Sequence, residues 1–306
     1  MPSSLCIVSH DAGGAEILAS YVAQQGLACS KVLAGPALGI FQRHFGRVET
    51  LELEEALASC HSFLCGTSWQ SDLEWTVLGR AAKAGKKTAA YLDHWANYPE
   101  RFVRKGIKHL PDELWVGDSD AEMLARTCFP GTPIRLVENP YLLGIVGNIR
   151  NLESSGTLRA HGKTNVLFVC ENISAHAMAQ HGDPRWWGYT EVEALEYFFS
   201  CLAGLEETAT TVTIRPHPSE NPEKYLPVLE RFGPLARLSS GESLAEEIAR
   251  ADIVAGCESM AMVVALKAGK KVVCAIPPGG RRSCLPQSIQ NKMEVLAKRS
   301  NSRRCV

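Results

Sequence analysis

The residues best placed for chemistry stand in short polar clusters that follow apolar, β-branched runs. Arg215-Pro216-His217-Pro218 follows Thr211-Val212-Thr213-Ile214. Such a run reads as a buried strand, and two prolines directly after it end strand pairing and block helix entry, so the chain must turn there. The turn carries a guanidinium able to neutralise phosphate and an imidazole able to orient or protonate a leaving group. Further on, Asp252-Ile253-Val254-Ala255-Gly256 leads through Cys257 into Glu258-Ser259-Met260. A glycine turn that opens a helix offers free amide N–H groups and the Ser259 hydroxyl to a phosphate, while Glu258 can accept from ribose hydroxyls. An N-capping serine behind a tight turn explains the same residues without a ligand.

Three further clusters have the same placement. Ser9-His10-Asp11-Ala12-Gly13-Gly14 follows the first strand and opens the first helix. Its glycines let the backbone approach a ligand, and His10 or Asp11 can take a proton from an attacking hydroxyl; Asp11 as a plain helix cap is the alternative. Asp93-His94-Trp95-Ala96-Asn97-Tyr98 packs an acid, an imidazole, an amide and two aromatics into six positions. It suits a sugar pocket in which rings stack and polar groups read hydroxyls, with a packed loop and buried indole as the alternative. Glu171-Asn172 closes the first strand of the second half, and Ser174, His176 and His181 follow in a segment read as irregular up to Trp187.

Several chemistries are excluded by spacing. No G-x-G-x-x-G follows the first strand, no Walker A is present, and Glu258 stands where a nucleophile elbow needs serine. The histidines are not at metal-ligand spacing, so neither a metal nor a cofactor is expected. A formal net charge of −1 provides no global field toward nucleic acid. Lys292, Lys298, Arg299, Arg303 and Arg304 gather in the tail, which reads either as a solvated end or as a contact for phosphate or anionic lipid.

The elements that must position these clusters alternate. Strands are predicted at 5–9, 31–34, 62–65, 88–92, 113–116, 134–137, 165–169, 211–214 and 271–275, with another at Ile253. Helices are predicted at 15–25, 72–84, 121–128, 191–205, 244–249, 259–268 and 287–298. That order implies parallel sheets with helices on both faces, and strand ends that face a ligand crevice. Residues 147–164 are rich in Gly, Ser, Asn and basic residues and are read as an interdomain linker. The expected division is an acceptor domain over 1–150, a nucleotide-donor domain over 151–286, and a helix with basic tail over 287–306. Lys83-Ala84-Gly85-Lys86-Lys87 is echoed by Lys267-Ala268-Gly269-Lys270-Lys271, and both read as helix endings with a left-handed glycine. With 306 residues, 45% hydrophobic and 21% charged, the chain supports two medium domains with sizeable cores. Eleven cysteines occur without any C-x-x-C pair, and Cys6, Cys65, Cys170 and Cys274 sit in apolar runs, which fits a reduced cytoplasm. No signal peptide is read, and no apolar stretch approaches the ~18–20 residues that span a bilayer.

Two Rossmann-like halves with ligand residues mainly in the second resemble the GT-B glycosyltransferase architecture, in which the halves face each other across a cleft. Within it, Arg215-Pro216-His217-Pro218 resembles the His-Pro motif of bacterial sialyltransferases and Kdo transferases. Gly256 to Met260 is similar to their later serine-bearing turn. Asp11-Ala12-Gly13-Gly14 more loosely resembles their acidic-Gly motif. Leu110 to Val116 and Val137-Glu138-Asn139-Pro140 look like the wider group of capsule and cell-wall polymer transferases. The resemblance implies an inverting, metal-independent transfer from a nucleotide sugar, CMP-sugar favoured, to a glycan or other hydroxyl acceptor. Asp11, assisted by His10, would be the base, with Asp93 and His94 as the alternative source. His217 would serve the leaving group. Arg215, His217, Pro218, Glu171, Asn172, Glu258, Ser259 and Met260 would hold the nucleotide. Gly13, Gly14, Asp93, His94, Trp95 and Asn97 would hold the acceptor. A cytoplasmic place is implied, with the tail available to the inner membrane. A nucleotide-sugar epimerase or hydrolase on the same plan, and a non-catalytic nucleotide-sugar binder, are the competing expectations.

Overall fold

In a computed structural model, residues 4–68, 71–155, 164–202, 210–290 and 294–295 are described. The chain divides into two units, Met1–Gly144 and Ile145–Val306. In the first, the apolar runs form strands β1 (Leu5–Ser9), β2 (Ser30–Leu33), β3 (Ser62–Cys65), β4 (Lys87–Leu92), a short hairpin β5 (Val103–Arg104) and β6 (Ile107–Lys108), β7 (Glu113–Val116) and β8 (Ile134–Leu136). The helices are α1 (Ala12–Gln25), α2 (Pro36–Phe45), α3 (Leu53–Ser59), α4 (Leu73–Lys83), α5 (Ser119–Cys128) and α6 (Pro140–Ser154). The sheet runs β2-β1-β3-β4-β7-β8, and every pair in it is parallel. Ile7, Leu64, Tyr91 and Trp115 from its strands pack with Leu18, Val22, Ile40 and Phe41 of α1 and α2.

The second unit contains β9 (Thr164–Val169), α7 (Ile173–His181), α8 (Glu191–Cys201), β10 (Thr210–Arg215), α9 (Leu226–Phe232), β11 (Ala236–Leu238), α10 (Leu244–Arg250), β12 (Ile253–Gly256), α11 (Met260–Lys267), β13 (Lys271–Cys274), α12 (Gln287–Gln290) and β14 (Glu294–Val295). Its order is β11-β10-β9-β12-β13-β14, again parallel throughout. Counted in chain order this is 3-2-1-4-5-6, the Rossmann arrangement. Capping boxes start α8 (Thr190 with Glu193) and α10 (Ser243 with Glu246). Phe168, Val212 and Ile214 meet Phe198 and Tyr225 in the core.

Three expectations are corrected. The reading of 147–164 as irregular fails in its first part, because α6 continues to Ser154 and buries Leu142, Val146 and Ile149 at helical spacing; that composition hid a sparse apolar stripe. Ser174, His176 and His181 lie on a helix, α7, ended by left-handed Gly182 (φ 73°). The helix predicted at 287–298 is short, and Glu294–Val295 instead adds a parallel edge strand to β13. The basic tail lies outside the described residues. Helices α2, α3 and α9 and strand β11 were not read from the sequence at all.

The echoed Lys-Ala-Gly-Lys-Lys segments have one structural cause. Gly85 (φ 67°) and Gly269 (φ 87°) are left-handed after α4 and α11. The lysine that follows reaches back to an earlier helix end. Lys86 Nζ donates to the Cys60 carbonyl after α3 (2.8 Å), and buried Lys270 Nζ donates to the Ala251 carbonyl after α10 (2.7 Å). Each closes a helix whose carbonyls would otherwise lack donors.

Gly256 ends β12 where a Cβ would lie 2.9 Å from the Val169 carbonyl oxygen and 3.0 Å from Met262 Sδ. Gly256→Ala is expected to cost about 1–3 kcal/mol through overpacking against backbone, read as a lowered urea midpoint at unchanged m-value.

Candidate functional site

In an open parallel sheet, ligands gather outside the carboxyl ends of the strands where the order reverses. In the first unit that point lies between β1 and β3, and in the second between β9 and β12. The predicted clusters Ser9 to Gly14, Glu171-Asn172 and Gly256 to Met260 therefore fall at switch points.

In the first unit, His10 Nδ1 and Asp11 Oδ1 are 2.7 Å apart, and each side chain is 23% exposed, which leaves the pair within reach of a solute. Asp11 occupies the N-cap position of α1 but makes no capping bond, because its carboxylate is committed to His10. Behind them stands Glu74 of α4, which sequence reasoning missed. Its Oε1 accepts the His10 backbone N–H at 2.8 Å. Burial pushes its carboxyl up to about 7, against the amides of Glu74 and His10, which favour the anion. Its place in the pattern Glu74, Val77, Leu78, Ala81, the buried face of α4, was the available signal: a carboxylate on a core stripe. Gly14 and Gly66 form the floor; a Cβ at Gly66 would stand 3.2 Å from Ser9 Oγ and 3.4 Å from Glu74 Oε1.

The loop after β4 reaches the same edge. A Cβ on Gly13 would meet Asp93 Oδ2 at 2.4 Å, so Asp93 lies against the first turn of α1. Asp93 is held by buried Arg101, whose Nη1 is 2.5 Å from Asp93 Oδ1 and also donates to Thr67 Oγ1 (2.8 Å). Trp95, expected to offer its ring to a sugar, is instead packed away, and its indole N–H donates to Asp118 Oδ1 at 3.1 Å. His94 stands edge-on to that indole, 5.6 Å away. Asn97 is exposed with φ 56°, in the left-handed region.

In the second unit the structure assigns several predicted ligands to internal partners. Arg215 Nη1 bonds the Glu242 carbonyl (2.8 Å) and pairs with buried Glu247 of α10, so its charge is already matched. Glu171 accepts the Glu258 N–H at 2.8 Å and faces the Cys257 and Ser259 amides, the same N–H groups expected to meet phosphate. Burial pushes the Glu171 carboxyl up to about 8, against those amides and with Glu258 adding repulsion. Glu258 turns to Arg281 Nη2 (2.8 Å) and the Cys284 amide (2.8 Å) rather than outward. Ser259 caps α11, accepting from the Ala261 N–H at 3.2 Å, and half-buried Met260 is the first helical residue. His217 and Pro218 reach the surface. His217 Nδ1 lies 2.7 Å from Ser219 Oγ, which accepts from Asn172 Nδ2 at 3.1 Å. Partial removal from water holds the His217 imidazole below its ordinary value, with His176 and Lys224 adding to this and Glu220 opposing it. Beneath lies a network the sequence did not reveal: Lys224 pairs with Glu191 and Glu220, and Tyr225 donates to Glu220 (3.1 Å). Among the described residues no group of three or more His, Cys, Asp or Glu is placed to hold a metal ion, and no helix is long and apolar enough to cross a membrane.

No protein-family model matches the chain, and no curated protein sequence matches it. Solved structures do. UDP-GlcNAc 2-epimerase from Methanocaldococcus jannaschii matches with TM-score 0.60 at 10% identity, over 94% of this chain and 91% of that one. UDP-GlcNAc 2-epimerase from Neisseria meningitidis, bound to UDP-GlcNAc, gives 0.55 at 10%, over 88% and 81%. The glycotransferase of kitacinnamycin gives 0.56 at 12%, over 97% and 87%. At such identities the likeness is one of fold: two Rossmann-like domains, the GT-B plan.

Glu74 supplies a pH test. Its folded carboxyl ionises near 7 against an ordinary 4.5, so folding favours the protonated form. That contribution is complete below about pH 4.5 and is lost as pH rises through 7. Glu74→Gln is expected to remove this loss, gaining up to about 3 kcal/mol over the parent at pH 8–9 relative to pH 4, measured by urea unfolding across that range.

Proposed function

We propose that the chain is a nucleotide-sugar enzyme, foremost a glycosyltransferase, that uses the His10–Asp11 pair as its proton acceptor. The observation that carries this reading is the pair itself: an imidazole and a carboxylate 2.7 Å apart, each part-exposed, at a switch point of a GT-B fold. Asp11 orients the ring and stabilises its positive charge, so that His10 or Asp11 can take the hydroxyl proton of a glycan or glycoconjugate acceptor. Gly13, Gly14, Asp93, His94 and Asn97 stand around this edge as acceptor contacts.

The nucleotide is assigned to the second unit, with a CMP-sugar as the first donor to try. His217, Ser219 and Asn172 form its reachable polar surface, and His217 is placed to meet the leaving phosphate. Arg215 holds the turn to α10 rather than meeting phosphate directly. The Ser259 turn can grip a phosphate only when Glu171 releases its amides. A second reading has equal support from the fold: epimerisation or hydrolysis of a nucleotide sugar, for which Glu171 or Asp93 would supply the acid near the sugar C2. The two UDP-GlcNAc 2-epimerases share the architecture at TM-scores of 0.55 and 0.60.

A thermal-shift screen of CMP, CDP, UDP, GDP and ADP is expected to single out one nucleotide, and His217→Ala to weaken that shift. The matching sugar nucleotide should then turn over only with acceptor present, and Asp11→Asn should lower kcat by about 10²–10⁴. Turnover without acceptor would establish the epimerase or hydrolase reading, and an Asp11→Asn enzyme at parental rate would remove Asp11 as part of the base.

A further inference from the structure

We propose that the first unit carries a second binding site, a cleft that takes the chain of a single-chain anionic amphiphile such as a fatty acid or an alkyl phosphate. The cleft lies at the amino ends of β1, β3, β4 and β7, whereas the His10–Asp11 turn follows the carboxyl end of β1. It is therefore independent of the function assigned to that turn. Its volume is about 750 Å³, within the ~300–1,000 Å³ typical of small-molecule sites. The floor follows from strand register. Leu64 pairs with Ala89, Ala89 with Glu113 and Tyr91 with Trp115, so Leu5, Leu64, Ala89 and Trp115 share the face against which α1 packs. Tyr21 of α1 and Leu27 beyond its end form a wall, and the Tyr21 ring meets Trp115 edge-on at 5.2 Å. A close-packed interior fills such space with a large side chain. Here the centre of the floor is an alanine, and Leu5, Tyr21, Leu27 and Ala89 stay part-exposed. Apolar walls with polar groups only at the rim suit an alkyl chain.

The rim decides the sign of the head group. Lys86, Lys87, Asp112 and Glu113 border the cleft. Both acids are turned to internal donors. Asp112 Oδ2 accepts the Thr88 N–H (2.8 Å) and its hydroxyl (3.0 Å), and Glu113 Oε2 accepts the Trp115 indole N–H (2.6 Å). Lys86 is committed to the Cys60 carbonyl. Lys87 is exposed and forms no ion pair among the described residues. Arg135 of β8, equally exposed and equally unpaired, places its guanidinium 5.1 Å from the centre of the Trp115 ring. Two cations without counter-ions, beside an apolar cleft whose acids are engaged, favour a negative head over a neutral or positive one.

Calorimetric titration of the whole protein with dodecanoate, dodecyl phosphate, dodecanol and dodecyltrimethylammonium, each below its micelle-forming concentration, tests this. The anions are expected to bind one per chain, about tenfold more tightly than the alcohol. Decanoate, with two fewer methylenes to bury, should bind about fifteenfold more weakly than dodecanoate. Ala89→Phe, which fills the floor, should abolish binding at a urea midpoint no lower than the parent's. Lys87→Glu combined with Arg135→Glu should erase the preference for anions while dodecanol still binds, and this variant decides the matter if Ala89→Phe does not fold. No binding of dodecanoate, equal affinity for the ammonium, or unchanged binding in folded Ala89→Phe overturns the proposal. Retention by phosphatidylglycerol vesicles without binding of monomeric dodecanoate overturns it in favour of a membrane contact. A parental dimer that binds no dodecanoate and is dissociated by Ala89→Phe overturns it in favour of a second copy of the chain.

Discussion

A parallel sheet ends its central strands in a row of backbone amides that the next strand cannot satisfy, and each unit of this protein meets that constraint with a glutamate carboxylate. In the first unit Glu74 accepts the His10 N–H; in the second Glu171 accepts the Glu258 N–H and faces two neighbouring amides. Both carboxyls are driven upward by burial, toward neutral or slightly basic pH. The rest of each site is arranged around that contact. The His10–Asp11 pair sits on the turn that Glu74 fixes, and the Ser259 cap follows the turn that Glu171 fixes.

The two sites differ in what this leaves open. In the first unit the glutamate lies behind the His10–Asp11 pair, whose side chains stay part-exposed. In the second it lies in the amide nest itself, where an anion from a nucleotide would have to compete with it. Arg215 and Glu258, the other charges expected there, are likewise bound to Glu247 and Arg281. The reachable polar groups beside the turn after β10 are His217, Ser219 and Asn172.

Much of the fold was legible because its strands are apolar, β-branched and bounded by turn residues. Leu5–Ser9 and Glu113–Val116 match the reading residue for residue, as does Ser62–Cys65. Helix α6 was not, since its glycines and asparagines obscured the three buried positions that define it. The placement of the candidate clusters at strand ends was legible for the same topological reason. Their partners were not, because Glu74, Glu247 and Arg281 arrive from distant segments, and no local pattern tells a ligand-binding arginine from one already paired. Trp95 illustrates the limit from the other side: an aromatic in a polar loop suggested stacking on sugar, and the fold used it for packing against Asp118.

The matched lysines after Gly85 and Gly269 carry a consequence of their own. Each belongs to the entry of one strand yet completes the end of a helix three elements earlier, so releasing the strand also strips that helix end of a side-chain donor. Fraying at either place is thereby shared by both, and β3 with β4, or β12 with β13, should open as a single cooperative block rather than peel strand by strand.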